Sequence, residues 1–326
     1  MDDQEIKIAF IARCDDTGLG NESLEFVEHI RPTRVLKVLV GDKQQHPDRF
    51  DGKDFGGIPT DDAIRELVEG MDLLFCIETP YNPSTFSIAR KMGVKSILRV
   101  NYEYLGNYIG YNAPDLFMSP VDWNMEWIPD PKIVIPFPVN TDRIKYHDRK
   151  TARKFLHIAG HHGYLDRNGT NIVREAQKYL KTPAEIIILD QQEKGIANYE
   201  DLYAEGDVLL YPRRHSGQSL VMNEALAAGM PVMMTDMKPQ NTILPPDMLI
   251  PVHAMSAIDI RRRIEFAEID PQKVAETIDK WYDKPIWQLS KKSREIAERM
   301  SWQTLLPEYR KIFRSLCRPE KKSLRT

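Results

Sequence analysis

The segment Asp207 to Asp236, DVLLYPRRHSGQSLVMNEALAAGMPVMMTD, constrains this chain more than any other. An apolar run, Val208 to Tyr211, gives way to a turn-prone stretch holding Arg213, Arg214, His215, Ser216 and Gly217, and then to a helical pattern from Gln218 to Ala228. Gly229 and Pro231 stop that helix, and Val232 to Met234 reads as the next strand. This order predicts a parallel sheet with a helix N-terminus at its carboxyl edge, where the first backbone N–H groups have no partner inside the helix. The helix dipole there favours phosphate, and Gly217 and Ser219 are small enough for an anion to approach the backbone. Arg213 and Arg214 carry charge to neutralise a diphosphate, while Glu224, one to two turns into the helix, can accept hydrogen bonds from sugar hydroxyls. One short element can thus hold both halves of a nucleotide sugar. The same strand, turn and helix are ordinary in α/β proteins, and an Arg-Arg pair in a loop is most often only solvated.

The segment resembles the donor-binding signature of glycosyltransferase family four: an acidic residue, Gly-Phe-Gly, a hydrophobic residue, three variable residues, then Glu-Ala with Gly-x-Pro-Val downstream. Gly217, Leu220, Glu224, Ala225, Ala228, Gly229, Pro231 and Val232 match it; Ser216 stands at the first acidic position, and Gln218 and Ser219 replace Phe-Gly. The resemblance implies that Glu224 holds the donor ribose and that Gly217 to Leu220 form the donor loop. Residues 134 to 144, VIPFPVNTDRI, resemble the linker entering the family's second domain, and FLHIAGHHGYLDRNGTNIVR, 155 to 174, resembles that domain's first strand, loop and helix. There His161 and Arg167 stand near two family cations that bind the donor pyrophosphate; Arg167 can do so, whereas a mostly neutral imidazole is a partial substitute. Met300 to Phe313 resembles the closing Ser-Trp helix. The implied fold class is α/β with GT-B architecture, two Rossmann-like doubly wound domains facing a cleft. The expected division is an acceptor-side domain at 1–139, a nucleotide-sugar domain at 140–299, and a closing helix with a basic tail at 300–326.

A chain of 326 residues suits two such domains. Cys14, Cys76 and Cys317 lie far apart without Cys-x-x-Cys spacing, which argues against zinc and disulfides and for a reducing compartment. The N-terminus MDDQEIKIAF lacks an export pattern and no apolar run reaches about 18 residues, so a cytoplasmic protein with no membrane span is expected. Residues 1 to 140 carry 14 Lys plus Arg against 23 Asp plus Glu, a net of −9, leaving +6 for the remainder of a chain of net −3. An anionic donor in the second half suits that asymmetry, which weighs against an anionic acceptor.

Strands are expected at Ile6 to Ile11, Val35 to Val40, Leu73 to Ile77, Ser96 to Val100, Leu116 to Met118 and Ile133 to Ile135, with helices at 21–30, 60–69 and 83–92. In the second half strands are expected at 155–158, 185–189, 207–211, 232–235 and 248–251. Gly18-Leu19-Gly20 follows the first strand and resembles in position the family's glycine-rich loop facing the donor, although a tight turn alone would use the same residues. Asp15, Asp16 and Asn21 are acceptor-side candidates. Glu78 and Glu103, just beyond two strands, can contact an acceptor or act as general base, or simply brace loops. The aromatic stretch from 100 to 130, with Tyr108, Tyr111, Trp123 and Trp127, suits either a stacking platform or core packing. No His-x-x-x-His on a helix and no Asp-x-Asp occurs, so no protein-bound metal is expected.

These readings converge on a hexosyl- or pentosyltransferase using a UDP- or GDP-sugar. The resemblance implies retention, with the donor phosphate taking the acceptor proton; Glu78, Glu103 and Asp16, read from their places beyond the strands, are the catalytic candidates on the acceptor side. The acceptor stays open among a hydroxymethylated base in viral DNA (DNA modification), a small molecule, a glycan and a protein. Two other classes remain: a nucleotide-sugar epimerase or hydrolase, and a non-catalytic nucleotide-sugar-binding module.

Overall fold

The computed structural model describes residues 5–41, 43–105, 112–160, 165–190, 202–215, 217 and 219–318. Of the expected site residues, His161, Ser216 and Gln218 lie outside this set, as do Tyr108, Tyr111 and the tail beyond Arg318. The chain divides into two compact units, Met1–Pro136 with Gln303–Thr326, and Phe137–Trp302.

The first unit contains strands β1 (Ile8–Arg13), β2 (Arg34–Leu39), β3 (Lys53–Gly56), β4 (Leu73–Ile77), β5 (Lys95–Arg99), β6 (Leu116–Ser119) and β7 (Lys132–Val134). Helices α1 (Gly18–Ile30), α2 (Asp61–Val68) and α3 (Thr85–Lys91) connect them. The sheet is parallel in the order β3-β2-β1-β4-β5-β6-β7. Its central strands read as unbroken apolar runs because both faces are buried. The edge strand β3, Lys-Asp-Phe-Gly, buries almost nothing and therefore left no apolar run to recognise. Helix α1 begins three residues earlier than expected: Thr17 caps it by accepting from the Gly20 N–H at 3.2 Å, so Gly18 and Gly20 lie in its first turn.

The second unit carries β8 (Lys154–Ile158), α4 (Thr170–Ala176), β9 (Glu185–Leu189), β10 (Val208–Tyr211), α5 (Leu220–Ala227), β11 (Val232–Thr235) and β12 (Leu249–Ile250). These strands form a parallel sheet in the order β12-β11-β10-β8-β9 over a core of Phe155, Val173, Val208, Leu210, Met233, Ile250, Val274 and Ile278. A hairpin absent from the sequence reading, β13 (Ala254–Asp259) and β14 (Arg263–Glu268), stands outside that sheet. β13 is solvent-facing along nearly its whole length, so its sequence lacks the alternation that marks a half-buried strand. Helices α6 (Pro271–Trp281) and α7 (Trp287–Arg299) complete the unit.

Helix α8 (Trp302–Cys317) belongs to the first unit from Gln303 onward. Its Phe313 ring meets Phe75 edge-on at 5.6 Å, within an aromatic core in which Phe26 stacks on Phe75 at 4.3 Å and packs against Phe10 at 4.5 Å. Beside this core, Arg99 at the end of β5 pairs with Glu22 of α1 in near-complete burial. Desolvation pushes the Arg99 guanidinium down to about 10, partly offset by Tyr309, so it stays charged at neutral pH. Such a pair costs several kcal/mol to desolvate and is retained only if its hydrogen bonds are made.

Candidate functional site

Each parallel sheet reverses its strand order once. In the first unit the reversal lies between β1 and β4, and in the second between β8 and β10. At such a point adjacent loops leave the carboxyl edge in opposite directions and open a crevice for ligands. Among the described residues seven non-glycine positions have positive φ, and four of them lie in these loops: Glu78 and Tyr81 after β4, Leu165 and Asp166 after β8. Left-handed backbone at a non-glycine residue is costly and concentrates where function requires it.

In the second unit the two loops are bolted together. His157, fully buried on β8, bridges the Leu210 carbonyl of β10 and the Thr170 hydroxyl of α4, each at 2.9 Å. The Arg214 N–H donates to the Arg167 carbonyl at 2.9 Å, and the Tyr211 hydroxyl meets the Asn168 side chain at 2.8 Å. Gly169, at φ +76°, packs so closely on Pro212 that a Cβ would overlap its carbonyl oxygen. Burial pushes the Tyr211 phenol up, while Arg213 and Arg167 pull it down and Glu224 pushes it up again. The Arg213 guanidinium lies 5.8 Å from the Tyr211 ring centroid.

Helix α5 starts at Ser219, whose hydroxyl accepts from the Met222 N–H at 3.2 Å. Its residues from Met222 to Ala227 are all buried, and Glu224 is among them. The Glu224 carboxylate accepts a 2.6 Å hydrogen bond from the Tyr203 hydroxyl, itself in a fully buried residue. At the other end of α5, Arg149 donates to the Ala228 carbonyl and Arg294 to the Ala227 carbonyl at 2.7 Å, closing terminal acceptors with cations that also suit the dipole. Burial lowers Arg149 to about 10, with Asp207 and Tyr146 opposing, so this clamp too is charged at neutral pH.

The paired arginines differ in what they touch. Arg214 donates through Nε to the Ala267 carbonyl (3.2 Å), through Nη1 to Leu165 (3.1 Å) and through Nη2 to Glu268 (2.6 Å), and its guanidinium lies 4.1 Å over the Phe266 ring. Its carbonyl also accepts from the Ala267 N–H at 2.8 Å. Arg214 therefore fastens the β13–β14 hairpin to the loop. Arg213, buried, keeps its guanidinium beside Tyr211. His215 is buried with its ring 5.9 Å from Phe266, and Gly217 is buried as well.

In the first unit the corresponding loops are carboxylate-rich. Asp15, with no solvent exposure, accepts from Arg13 Nε at 2.6 Å and from the Thr17 hydroxyl and N–H at 2.5 and 3.1 Å. Gly20 is required here, because a Cβ would collide with the Asp15 carbonyl oxygen. Asn21 lies within 3.4 Å of Arg49, which also donates to the Asp15 carbonyl (2.9 Å) and to Asp16 (3.0 Å). Desolvation raises the Asp16 carboxyl, but His46 at 2.7 Å and Arg49 outweigh it and hold it below the usual range. A depressed carboxyl of this kind is a weak proton acceptor. Glu78 and the fully buried Glu103 share one donor, the Asn101 amide, at 3.2 Å each. Tyr81 is pushed up to about 12 by burial, lowered in part by Arg13 and raised further by the charges of Glu78 and Asp15. Of the aromatic stretch, Tyr102 and Trp123 meet edge-on at 5.6 Å in the core, whereas Trp127 is exposed.

The sequence reading passed over Tyr203, Asn168, Asn101, Tyr81 and Arg13, because single polar residues outside a motif carry no periodic signal. Among the described residues one group of three possible metal ligands occurs, Glu25, Glu28 and His29 on α1, in neither of the loops. No helix among them is long and apolar enough to cross a membrane.

Residues 142–281 match a family model described as glycosyl transferases group 1. No curated protein matches the sequence. Among solved structures, Anabaena Alr3699/HepE in complex with UDP and glucose is similar at 11% identity and TM-score 0.69, covering 96% of this chain and 100% of that one. A glycosyltransferase from Rickettsia africae ESF-5 follows at 11% and 0.68, covering 97% and 99%. A sucrose-phosphate synthase from Thermosynechococcus elongatus stands at 14% and 0.64, covering 96% and 99%. The fold is the α/β GT-B fold, with parallel sheets in two domains. The match of residues 142–281 to a glycosyl transferases group 1 model agrees with that fold.

Proposed function

We propose that this chain moves a sugar from a nucleotide diphosphate sugar, UDP- or GDP-linked, to an acceptor hydroxyl with retention. The observation that carries the reading is the pairing of the two loops at the β8–β10 reversal, where Arg213 lies 5.8 Å from the Tyr211 ring, Tyr211 bonds Asn168 next to Arg167, and buried Glu224 stands on α5, which follows β10. Two cations suit a diphosphate, and a buried carboxylate one to two helical turns away suits the ribose hydroxyls. The bond from the sugar's anomeric carbon to the phosphate oxygen breaks, and its electron pair leaves with the nucleotide diphosphate, stabilised by Arg213 and Arg167. The acceptor oxygen bonds to the same carbon on the same face, and its proton passes to the departing phosphate oxygen. Arg214 takes the role of holding the loop to its hairpin, with no direct share in the charge.

The acceptor side falls to the first unit, with Glu78 and Glu103, the carboxylates joined through the Asn101 amide, as the groups nearest an acceptor's hydroxyls. A neutral hydroxylic acceptor, such as a glycan or small molecule, fits carboxylates better than DNA does, and hydroxymethylated DNA is the natural contrast. The test is mass spectrometry of the protein with a panel of UDP- and GDP-sugars, with and without glycan and hydroxymethylated DNA acceptors. Release of nucleotide with a sugar-sized mass gain on an acceptor is expected. Donor turnover into an isomeric nucleotide sugar without any acceptor would replace this reading with an epimerase, and no turnover of any donor would replace it with a binding module.

A further inference from the structure

Ile8 opens β1, Ile30 closes α1, and together with Phe313 of α8 they form the apolar base of a cavity of about 660 Å³ in the first unit. The cavity lies at the amino edge of the first sheet, at the opposite end of β1 from the loop that carries Asp15 and Asp16. Its walls are basic. Lys7 comes from the entry to β1, Arg31 from the end of α1, and Arg310 and Arg314 from α8, against the single carboxylate of Glu5. Residues 1 to 140 carry a net −9, so a cavity walled by four cations stands apart from the acidic chain around it.

Six arginines elsewhere in this unit are engaged. Arg13, Arg49 and Arg65 pair with Asp15, Asp16 and Asp62, Arg99 pairs with Glu22, and Arg34 and Arg90 donate to backbone carbonyls. By contrast, among the described residues the side chains of Lys7, Arg31 and Arg310 make no hydrogen bond or ion pair. Arg310 and Arg314 are four residues apart on one helix, a spacing at which like charges repel. A cation suits the carbonyl end of a helix, which accounts for Arg31 after α1 but not for the three brought by the strand entry and by α8.

We propose that this cavity is a second anion site, separate from nucleotide-sugar binding in the second unit, and that it takes the phosphate group of a small organic phosphate. Its volume falls in the range of small-molecule sites. A phosphate offers acceptors in several directions, which suits cations drawn from three elements, and the apolar base suits the ligand's carbon frame. A free phosphate ester and the headgroup of an anionic lipid present this same chemistry.

The test is calorimetry of the full chain with inorganic pyrophosphate, alongside sedimentation with vesicles of phosphatidylcholine alone and of phosphatidylcholine mixed with phosphatidylglycerol. Wild type and Arg213→Met are expected to bind pyrophosphate alike, and the double variant Arg31→Gln, Arg310→Gln about 10-fold or more weakly, the loss of two charge-assisted contacts. Should pyrophosphate not bind, sedimentation that depends on phosphatidylglycerol and is lost in the double variant assigns the site to a lipid headgroup. Pyrophosphate binding or sedimentation that the double variant leaves unchanged overturns the proposal, as does binding of neither probe. Lys7→Gln, which lies outside every helix and strand, gives the same readout if the double variant does not fold.

Discussion

The two strand-order reversals have the same topology and opposite chemistry. Around β8 and β10 the loops carry Arg167, Arg213 and Arg214, with Arg213 5.8 Å from the buried Tyr211 ring, whereas around β1 and β4 they carry Asp15, Asp16 and Glu78, with Arg13 and Arg49 paired to the first two. Arg13 is bound to Asp15, Arg49 to Asp16, and the shared Asn101 amide serves Glu78 and Glu103. A parallel sheet supplies the crevice and the aligned loop ends, and the side chains grafted on the loops decide which charge the crevice welcomes. The comparison also separates neighbours: Arg213 and Arg214 are adjacent in sequence, yet one faces the buried tyrosine and the other is spent on a hairpin.

The strongest way to break this contrast is to remove the cations one at a time. Arg213→Met and Arg167→Met are each expected to lower transfer by about 10²–10³-fold in a nucleotide-release assay, the cost of losing one stabiliser of a leaving anion. Arg214→Met is expected to lower the rate by less than about 10-fold while lowering the urea unfolding midpoint, since it loosens the hairpin. Equal kinetic losses at 213 and 214 would erase the distinction between them.

Next come the glycines that let the loops close. Gly169→Ala meets both a positive φ and the Pro212 carbonyl, and is expected to cost about 2–4 kcal/mol in urea unfolding. Gly20→Ala meets the Asp15 carbonyl and its Oδ1 without a positive φ, and a cost of about 1–3 kcal/mol is expected. The carboxylates sharpen the chemistry further. If the donor phosphate takes the acceptor proton, Glu78→Gln and Glu103→Gln each reduce transfer by less than about 10-fold. A loss of about 10²–10⁴-fold at either would mark a general base and count against retention.

The smallest effect concerns Asp16. Its carboxyl is held below its ordinary range in the folded chain, so its contribution to stability is present above the unfolded value of about 4 and is lost as pH falls through the folded one. Because the side chain is half exposed, Asp16→Asn is expected to cost less than ~1 kcal/mol at pH 7, and the difference from wild type should vanish toward pH 2. A difference that grew on acidification would contradict the pairing with His46 and Arg49.

Much of this protein was written in local pattern. Leu73–Ile77 and Val232–Thr235 are strands at the residues where apolar runs placed them, because a strand buried on both faces must be apolar throughout, and the half-buried edge strand Glu185–Leu189 is likewise where its run of isoleucines placed it. The helix after β10 was legible for a similar reason, since Gly229 ends it in the left-handed conformation that glycine favours. Elements that bury little escaped: the edge strand Lys53–Gly56 and the hairpin 254–268 leave a weak trace in the order of residues. Periodicity also predicted Glu224 on its helix, but only the folded chain gave that carboxylate Tyr203, brought from 21 residues away. Sequence spacing determines which backbone a segment adopts, because those forces act over a few residues. Which arginine is spent, which carboxylate is pinned and which tyrosine pins it depend on partners met only when distant loops pack, and those meetings belong to the tertiary structure.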